Sequence, residues 1–167
     1  MSVYSDFRFL ATKDIRHRRL SYIPDIWYKK FEVMVEYDKN KKPLSGVVLK
    51  EQICPIDPTA DYRIYLWASN TELGYDALVP AFDALILRLR THMVTLGKKK
   101  LWGQVPKYAI HLTTYLKSLG ASAKCDETNG DDVEIMSDER TKDFSNYIFY
   151  ICDDRDTVAN FVAAKGA

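Results

Sequence analysis

The stretch Tyr62-Arg63-Ile64-Tyr65-Leu66-Trp67-Ala68 crowds aromatic, β-branched and apolar residues into seven positions. Such a run is typical of a strand that is buried on both faces of a sheet. From Leu78 the apolar period changes to three or four residues, which predicts an amphipathic helix that ends at Gly97. The apolar stripe of this helix consists of Leu78, Phe82, Leu85, Leu89, Met93 and Leu96. We expect the sheet to form around this strand and helix.

A second strand and a second helix follow directly. Residues 101–105 predict a short strand that Pro106 ends, and residues 108–119 carry an apolar helical face that closes at Gly120. Strands that alternate with helices of this length imply a right-handed crossover, and therefore a parallel pair at the centre of the sheet. Ligands of such sheets bind near strand carboxyl ends and helix starts, so segment 67–78 is where we expect a site.

An antiparallel hairpin precedes the central strand. The apolar residues Phe31, Val33 and Val35 alternate with Glu32, Met34 and Glu36. The turn-prone segment 38–43 follows, and residues 44–49 resume the strand pattern. Gly46 inside the second strand indicates a bulge or a close approach of the backbone.

The remaining patterns are shorter. We predict a first strand at 7–11, further strands at 121–125, 133–136 and 147–151, and a short helical pattern at Val158, Phe161 and Val162. The basic cluster Arg16-His17-Arg18-Arg19 has two interpretations, a solvated helix face or a phosphate contact.

The composition sets the size and class of the protein. The 167 residues, 47% apolar and 13% aromatic, predict one domain over 1–167, with a core at about 7–151 and a tail at 152–167. The formal net charge is +1, so no global field favours nucleic acid or an anionic membrane surface. No apolar run has a membrane-spanning length and the first residues lack signal-peptide character, which predicts a soluble, intracellular protein.

The cysteines do not indicate a metal site or a disulfide. Cys54, Cys125 and Cys152 are odd in number and lie far apart, so we predict free thiols. The acidic segment 126–132 does not have the spacing of an EF-hand loop, and the sequence predicts no metal site.

The assembled order is α/β, a mixed sheet with an N-terminal hairpin and a central parallel pair flanked by helices. It resembles the Gcn5-related N-acetyltransferase (GNAT) fold over about 7–151. The most recognisable piece is the strand at 101–105 with the helix at 108–119 and Gly120-Ala121, which is similar to the strand, helix and Leu-Gly-Phe ending of that family. The same residues are similar to acetyltransferase-like proteins of tailed phages, some of which are virion proteins.

The resemblance implies where acetyl-coenzyme A and the catalytic groups would lie. Active members carry Arg/Gln-x-x-Gly-x-Gly/Ala after the fourth strand, because bare backbone donors must approach a pyrophosphate. The matching turn here, 70–77, has no leading Arg or Gln and carries two carboxylates, Glu72 and Asp76. The implied coenzyme-binding residues are Trp67, Leu73, Gly74, Tyr75 and Ala77.

The implied catalytic groups are less well matched. Many members place a Tyr four residues before the glycine as the general acid, and that position here is Leu116. The remaining candidates are Tyr115, His111, Glu36 and Glu51. Tyr115 has a second interpretation as a packed aromatic residue, since one residue turns a helical side chain by about 100° away from position 116. His111 has one as a structural helix residue, and Glu36 and Glu51 as outward-facing strand residues.

Two functions follow from the resemblance. The first is a non-catalytic, phage-encoded protein that binds a protein partner, in the virion or in the host cytoplasm, and needs no cofactor. The second is an active N-acetyltransferase that moves an acetyl group from acetyl-coenzyme A to an amine. The degenerate turn and Leu116 favour the first.

Overall fold

The computed structural model describes residues 2–14, 22–55, 57–106, 109–119, 125–126, 146–152 and 159–164. The helices of these ranges are α1 (Val3–Lys13), α2 (Asp25–Tyr28), α3 (Tyr75–Leu96) and α4 (Ile110–Ser118). The strands are β1 (Glu32–Tyr37), β2 (Pro43–Glu51), β3 (Tyr62–Ser69), β4 (Lys100–Pro106), β5 (Cys125–Asp126), β6 (Asn146–Cys152) and β7 (Ala159–Ala164).

The strands follow the order β1-β2-β3-β4-β6-β7-β5 in one mixed sheet. The sheet is mixed, with an antiparallel N-terminal hairpin, and helices flank it, so the predicted α/β fold class is confirmed. The residues group into two compact units, Met1–Lys50 with Ile64–Leu87 and Glu51–Arg63 with Arg88–Ala167. One domain over 1–167 stays a prediction.

The predicted hairpin is confirmed in the first unit. Strand β1 pairs antiparallel with β2 from Glu32 opposite Leu49 to Tyr37 opposite Pro43, and the register shifts between Glu36 and Tyr37. Gly46 is the predicted close approach, because a Cβ there would lie 2.9 Å from the Met34 carbonyl oxygen.

The predicted first strand at 7–11 is wrong, because these residues belong to helix α1. Ser2 caps the helix by accepting a hydrogen bond from the Ser5 backbone N–H at 3.1 Å. Phe7, Leu10 and Ala11 are fully buried, and their spacing is that of one helix face. A stretch of five residues did not distinguish this period from a strand alternation.

The central strand and the long helix are confirmed. Every residue of β3 is buried, as expected for a strand covered on both faces. Helix α3 ends before Gly97, whose φ of +69° lies in the left-handed region that glycine adopts without strain. This geometry places the β3–α3 turn, residues 70–74, at the carboxyl end of a buried strand and the start of a 22-residue helix.

The second unit contains β4, α4 and β6. Strand β4 pairs antiparallel with β6 from Lys100 opposite Cys152 to Pro106 opposite Asn146. Pro106 is the last residue of β4, one residue beyond the predicted strand.

The predicted helical pattern of the tail is wrong where the structure describes it. Residues Ala159–Ala164 form strand β7, which pairs antiparallel with β6. Pairing with a neighbouring strand overrides a local pattern of only three apolar residues. Gly120, Val158, the basic cluster 16–19, the predicted strand at 133–136 and most of that at 121–125 lie outside the described residues.

The segment before β3 is held by Asp57 in the second unit. One carboxylate oxygen accepts hydrogen bonds from the Thr59 backbone N–H at 3.0 Å and hydroxyl at 2.5 Å, and the other contacts Lys100 Nζ at 2.6 Å. The Lys100 contact and the Thr59 bonds hold the pKa of the Asp57 carboxyl below its usual range.

Because the folded pKa is depressed, the stabilisation from Asp57 is fully present above its unfolded pKa, about 3.9, and is lost as pH falls through the folded value. We expect Asp57→Asn to lower the free energy of unfolding by about 1–2 kcal/mol at neutral pH. Urea denaturation at neutral and strongly acidic pH measures this difference, which we expect to shrink in acid. Lys100→Met, the matched variant, should show the same pH dependence. A loss of equal size at both pH values would contradict the assignment.

Candidate functional site

Hydrogen bonds connect the β3–α3 turn to the end of α1 in the first unit. The Ser69 backbone N–H donates to an Asp14 carboxylate oxygen at 3.3 Å, and the Thr71 hydroxyl donates to the Lys13 carbonyl oxygen at 2.5 Å. Lys13 Nζ forms an ion pair with Glu72 Oε1 at 3.0 Å. The turn that the sequence predicts as a coenzyme site is thus positioned by a helix that is distant from it in sequence.

The ion pair changes the electrostatics expected from sequence. Glu72 brings a negative charge to the turn, but the Lys13 ammonium compensates it. The pair is solvent-accessible, with the Glu72 side chain 66% exposed, so it is weak and screened by salt. Asp76 lies in the first turn of α3, where the helix dipole favours a carboxylate, and it is exposed. The Asp76 carboxylate therefore already occupies the helix start, where a bound anion would be favoured.

Three backbone donors near the start of α3 are already engaged in hydrogen bonds within the chain. The Glu72 N–H donates to the Asn70 side chain at 3.3 Å, the Leu73 N–H to the Asn70 carbonyl at 3.1 Å, and the Ala77 N–H to the Gly74 carbonyl at 3.1 Å. The N–H groups of residues 72, 73 and 77 are therefore not available to a phosphate. Gly74 is exposed, and a Cβ there would meet nothing within 4 Å.

Four of the five predicted coenzyme-binding residues lie together in this region. Leu73 and Tyr75 are half-buried, and Gly74 and Ala77 are exposed. The fifth, Trp67, is 4% exposed, packs edge-on against the Phe82 ring and donates its Nε1–H to Ser45 Oγ at 2.9 Å. Trp67 therefore belongs to the core of the first unit.

The buried hydroxyl groups of Ser45 and Ser69 connect Trp67 with the β3–α3 turn. The Ser45 and Ser69 hydroxyl oxygens lie 2.8 Å apart. The Ser69 backbone N–H in turn donates to the Asp14 carboxylate. Both serines and Asp14 are buried, so these bonds satisfy polar groups that water does not reach. No local pattern in the sequence predicts this network, because its members lie far apart in the chain.

Helix α4 carries two of the predicted catalytic residues in the second unit. Tyr115 is 3% exposed and Leu116 is fully buried. His111 is half-buried and lies four residues before Tyr115, on the same side of the helix. Leu116, the position that the sequence resemblance assigns to the general acid, is a core position of this unit.

The two glutamates lie on the hairpin strands. Glu36 is half-buried on β1, opposite Ser45 of β2, in the first unit. Glu51 is exposed at the end of β2 and belongs to the second unit. Their catalytic role stays a prediction.

The aromatic residues of the central strands are buried. Trp102 is fully buried, and Tyr62 and Tyr65 are at most 9% exposed, so they form core rather than a stacking platform. Arg63 is also buried, with its guanidinium carbon 4.6 Å from the centre of the Trp102 ring. Its terminal nitrogens donate to the Gln52 and Gln104 side-chain oxygens at 2.9 and 3.1 Å.

The described residues contain no group of three or more His, Cys, Asp or Glu side chains arranged to hold a metal ion. Cys54 is a buried free thiol, as predicted; the side chains of the other two cysteines are not described. Within the described ranges, no helix combines the length and the apolar character that a membrane crossing requires.

No protein-family model and no curated protein sequence matches this chain. Among solved structures, the chain is similar to the crystal structure of Chaetomium thermophilum Naa20 in complex with a bisubstrate analogue. The TM-score is 0.49 and the identity 15%, and the match covers 83% of this chain and 72% of that chain. The roles of the site residues therefore rest on the geometry of this chain alone.

Proposed function

We propose that this chain is a non-catalytic protein with an acetyltransferase-like fold, and that it binds a protein partner in a phage virion or in the host cytoplasm. The proposal of a phage origin is supported by the sequence resemblance alone.

The main support for the proposal is that Tyr115 and Leu116 of helix α4 are buried. If the family pattern applies, the acid that protonates the departing thiolate would stand at position 116, where the side chain is a fully buried leucine. Leucine cannot transfer a proton, and its neighbour Tyr115 is packed at 3% exposure. Since a positioned acid typically contributes about 10²–10⁴-fold to a rate, its loss is enough to remove useful turnover.

The β3–α3 turn supports the same conclusion. Asp76 stands where the pyrophosphate would approach, and the Ala77 N–H is already used inside the turn. A carboxylate about 4 Å from a phosphate oxygen costs about 1 kcal/mol in water and about 4 kcal/mol at an effective dielectric of 20. Because Asp76 is exposed, the lower figure applies, and it weakens coenzyme binding.

The second candidate is an active N-acetyltransferase that takes acetyl-coenzyme A as its cofactor. Two observations favour it: Lys13 compensates Glu72, and the space beside Gly74 is open. In this candidate backbone amides at the start of α3 hold the pyrophosphate, and the coenzyme supplies the acetyl group.

Calorimetric titration of acetyl-coenzyme A into the wild type and into Glu72→Gln/Asp76→Gly distinguishes the two candidates. We expect weak or undetectable binding to the wild type and about tenfold stronger binding to the variant. The variant removes two carboxylates and also releases the Lys13 ammonium from its partner.

Asp83→Asn is the matched control, because it removes an exposed carboxylate from the same helix two turns away. It should bind the coenzyme as the wild type does. Micromolar affinity of the wild type would favour the enzyme candidate. Equal binding by the double variant and the control would show that the turn is not the coenzyme site.

A further inference from the structure

The tip of the β1–β2 hairpin, residues 38–42, is a closed and well-bonded loop. The Asp38 N–H donates to the Lys42 carbonyl at 2.9 Å, and the Lys41 N–H donates to the Asp38 carbonyl at 3.0 Å. One Asp38 carboxylate oxygen accepts from the N–H groups of Asn40 at 2.7 Å and of Lys42 at 2.9 Å. The loop is therefore held in one conformation by four hydrogen bonds, with Asp38 as its internal cap.

Lysine occupies the most demanding backbone position of this tip. Lys41 has a φ of +64°, in the left-handed region where glycine is the least strained residue. The loop adopts this conformation although residue 41 has a side chain. That side chain places a positive charge at the surface. Backbone strain of this kind is a reason to look for a function of the side chain.

The tip carries a net positive charge, because its three lysines outnumber the one carboxylate of Asp38. Lys39, Lys41 and Lys42 are all exposed, and none of them forms an ion pair with any residue in the described ranges. The nearest carboxylate in sequence, Asp38, is engaged with the backbone of the loop. Three ammonium groups within four residues thus face solvent on a rigid support.

We propose that this hairpin tip is a docking surface for an acidic segment of a partner protein. The inference rests on the proposed protein-binding function and adds the place and the chemistry of the contact. A rigid loop loses little conformational entropy on binding, which favours a specific contact over a diffuse one. Opposite charge then increases the rate of encounter and selects the partner.

A nucleic acid fits the tip less well than an acidic protein segment. The net charge of +1 gives no long-range attraction to an extended polyanion. The loop itself offers neither arginine for bidentate phosphate contacts nor an aromatic ring for base stacking. A short run of carboxylates needs only the local charge that the three lysines supply.

Fluorescence titration of the full chain with a short peptide of alternating Glu and Ser tests the proposal at low salt. We expect the peptide to bind the wild type, and Lys39→Gln/Lys41→Gln/Lys42→Gln to bind about tenfold more weakly, since each exposed ion pair contributes a factor of about two. The control Lys29→Gln/Lys30→Gln/Lys99→Gln makes the same charge change at other exposed lysines. It should bind as the wild type does.

A variant and a second peptide separate the effect of charge from a change of fold at the tip. Lys41→Gly removes one charge and relieves the left-handed strain, so it should keep the fold and lose about twofold in affinity. A peptide with Gln in place of Glu should not bind. The proposal is overturned by no binding to the wild type, by equal loss in the control, or by tighter binding of a DNA duplex than of the peptide. Coenzyme titration tests the proposed function separately, so failure at the tip does not affect that result.

Discussion

Trp102→Ala is expected to lower the free energy of unfolding by about 3–5 kcal/mol, the usual cost of removing a large aromatic side chain from a core. Trp102 is fully buried in a cluster with Cys54, Ala60, Ile148 and Tyr150. Its Nε1–H donates to the Gln52 carbonyl oxygen at 2.7 Å, so the substitution leaves a cavity and also removes the partner of a backbone carbonyl. Urea denaturation followed by circular dichroism measures the loss. Since domains are stable by only about 5–15 kcal/mol, the variant should unfold at a much lower urea concentration.

Two further variants separate the causes of this loss. Trp102→Phe keeps most of the apolar volume but leaves the Gln52 carbonyl unpaired, and we expect it to cost about 1–3 kcal/mol. Ile110→Ala changes a side chain that is 63% exposed in the same unit, and its effect should stay within about 0.5 kcal/mol. A loss from Trp102→Ala no larger than that of Ile110→Ala would contradict the packing described for the second unit.

Gly46→Ala is expected to destabilise the first unit by about 1–3 kcal/mol, although it adds only one methyl group. The new Cβ would lie 2.9 Å from both the Met34 carbonyl oxygen and Val35 Cγ2, and 3.3 Å from Leu10 Cδ1. Because one of these atoms belongs to the backbone of the paired strand, the contact cannot be relieved by rotating a side chain. Denaturation of the purified variant gives the difference in free energy.

Gly74→Ala is the matched control for a glycine-to-alanine change. A Cβ at that position meets nothing within 4 Å, so the substitution should be neutral or stabilising by up to about 1 kcal/mol. If both variants lose the same free energy of unfolding, the close packing of α1 and β1 against Gly46 is contradicted.

The long periodic elements could be predicted from sequence because their signals are local. The stripe of α3, the apolar run of β3 and the alternation of the hairpin each span enough residues to fix a period. The sequence does not predict α1, because its buried apolar residues lie within only five positions of a segment rich in aromatic side chains. Its signal was nevertheless present, in the N-cap Ser2 and the spacing of Phe7, Leu10 and Ala11.

The position of the β3–α3 turn could be predicted from the sequence, but its electrostatics could not. The order of strand and helix points to residues 67–78, and the structure places the turn there. Lys13 and Glu72 are 59 residues apart, and no local pattern pairs them. The buried contacts of Ser45, Ser69 and Asp14 are equally non-local, since they depend on three elements that meet only in the folded chain.

The proposed lack of acetyl transfer can be measured as thiol release from acetyl-coenzyme A, with the wild-type chain and a panel of amine acceptors. We expect no release above the rate in buffer, because Leu116 offers no proton and Tyr115 is buried beside it. The released thiol is detected by a disulfide reagent after each reaction is quenched, so that Cys54 and the other thiols of the protein can be subtracted. Steady turnover with any amine would show that the chain is an enzyme and overturn the non-catalytic proposal.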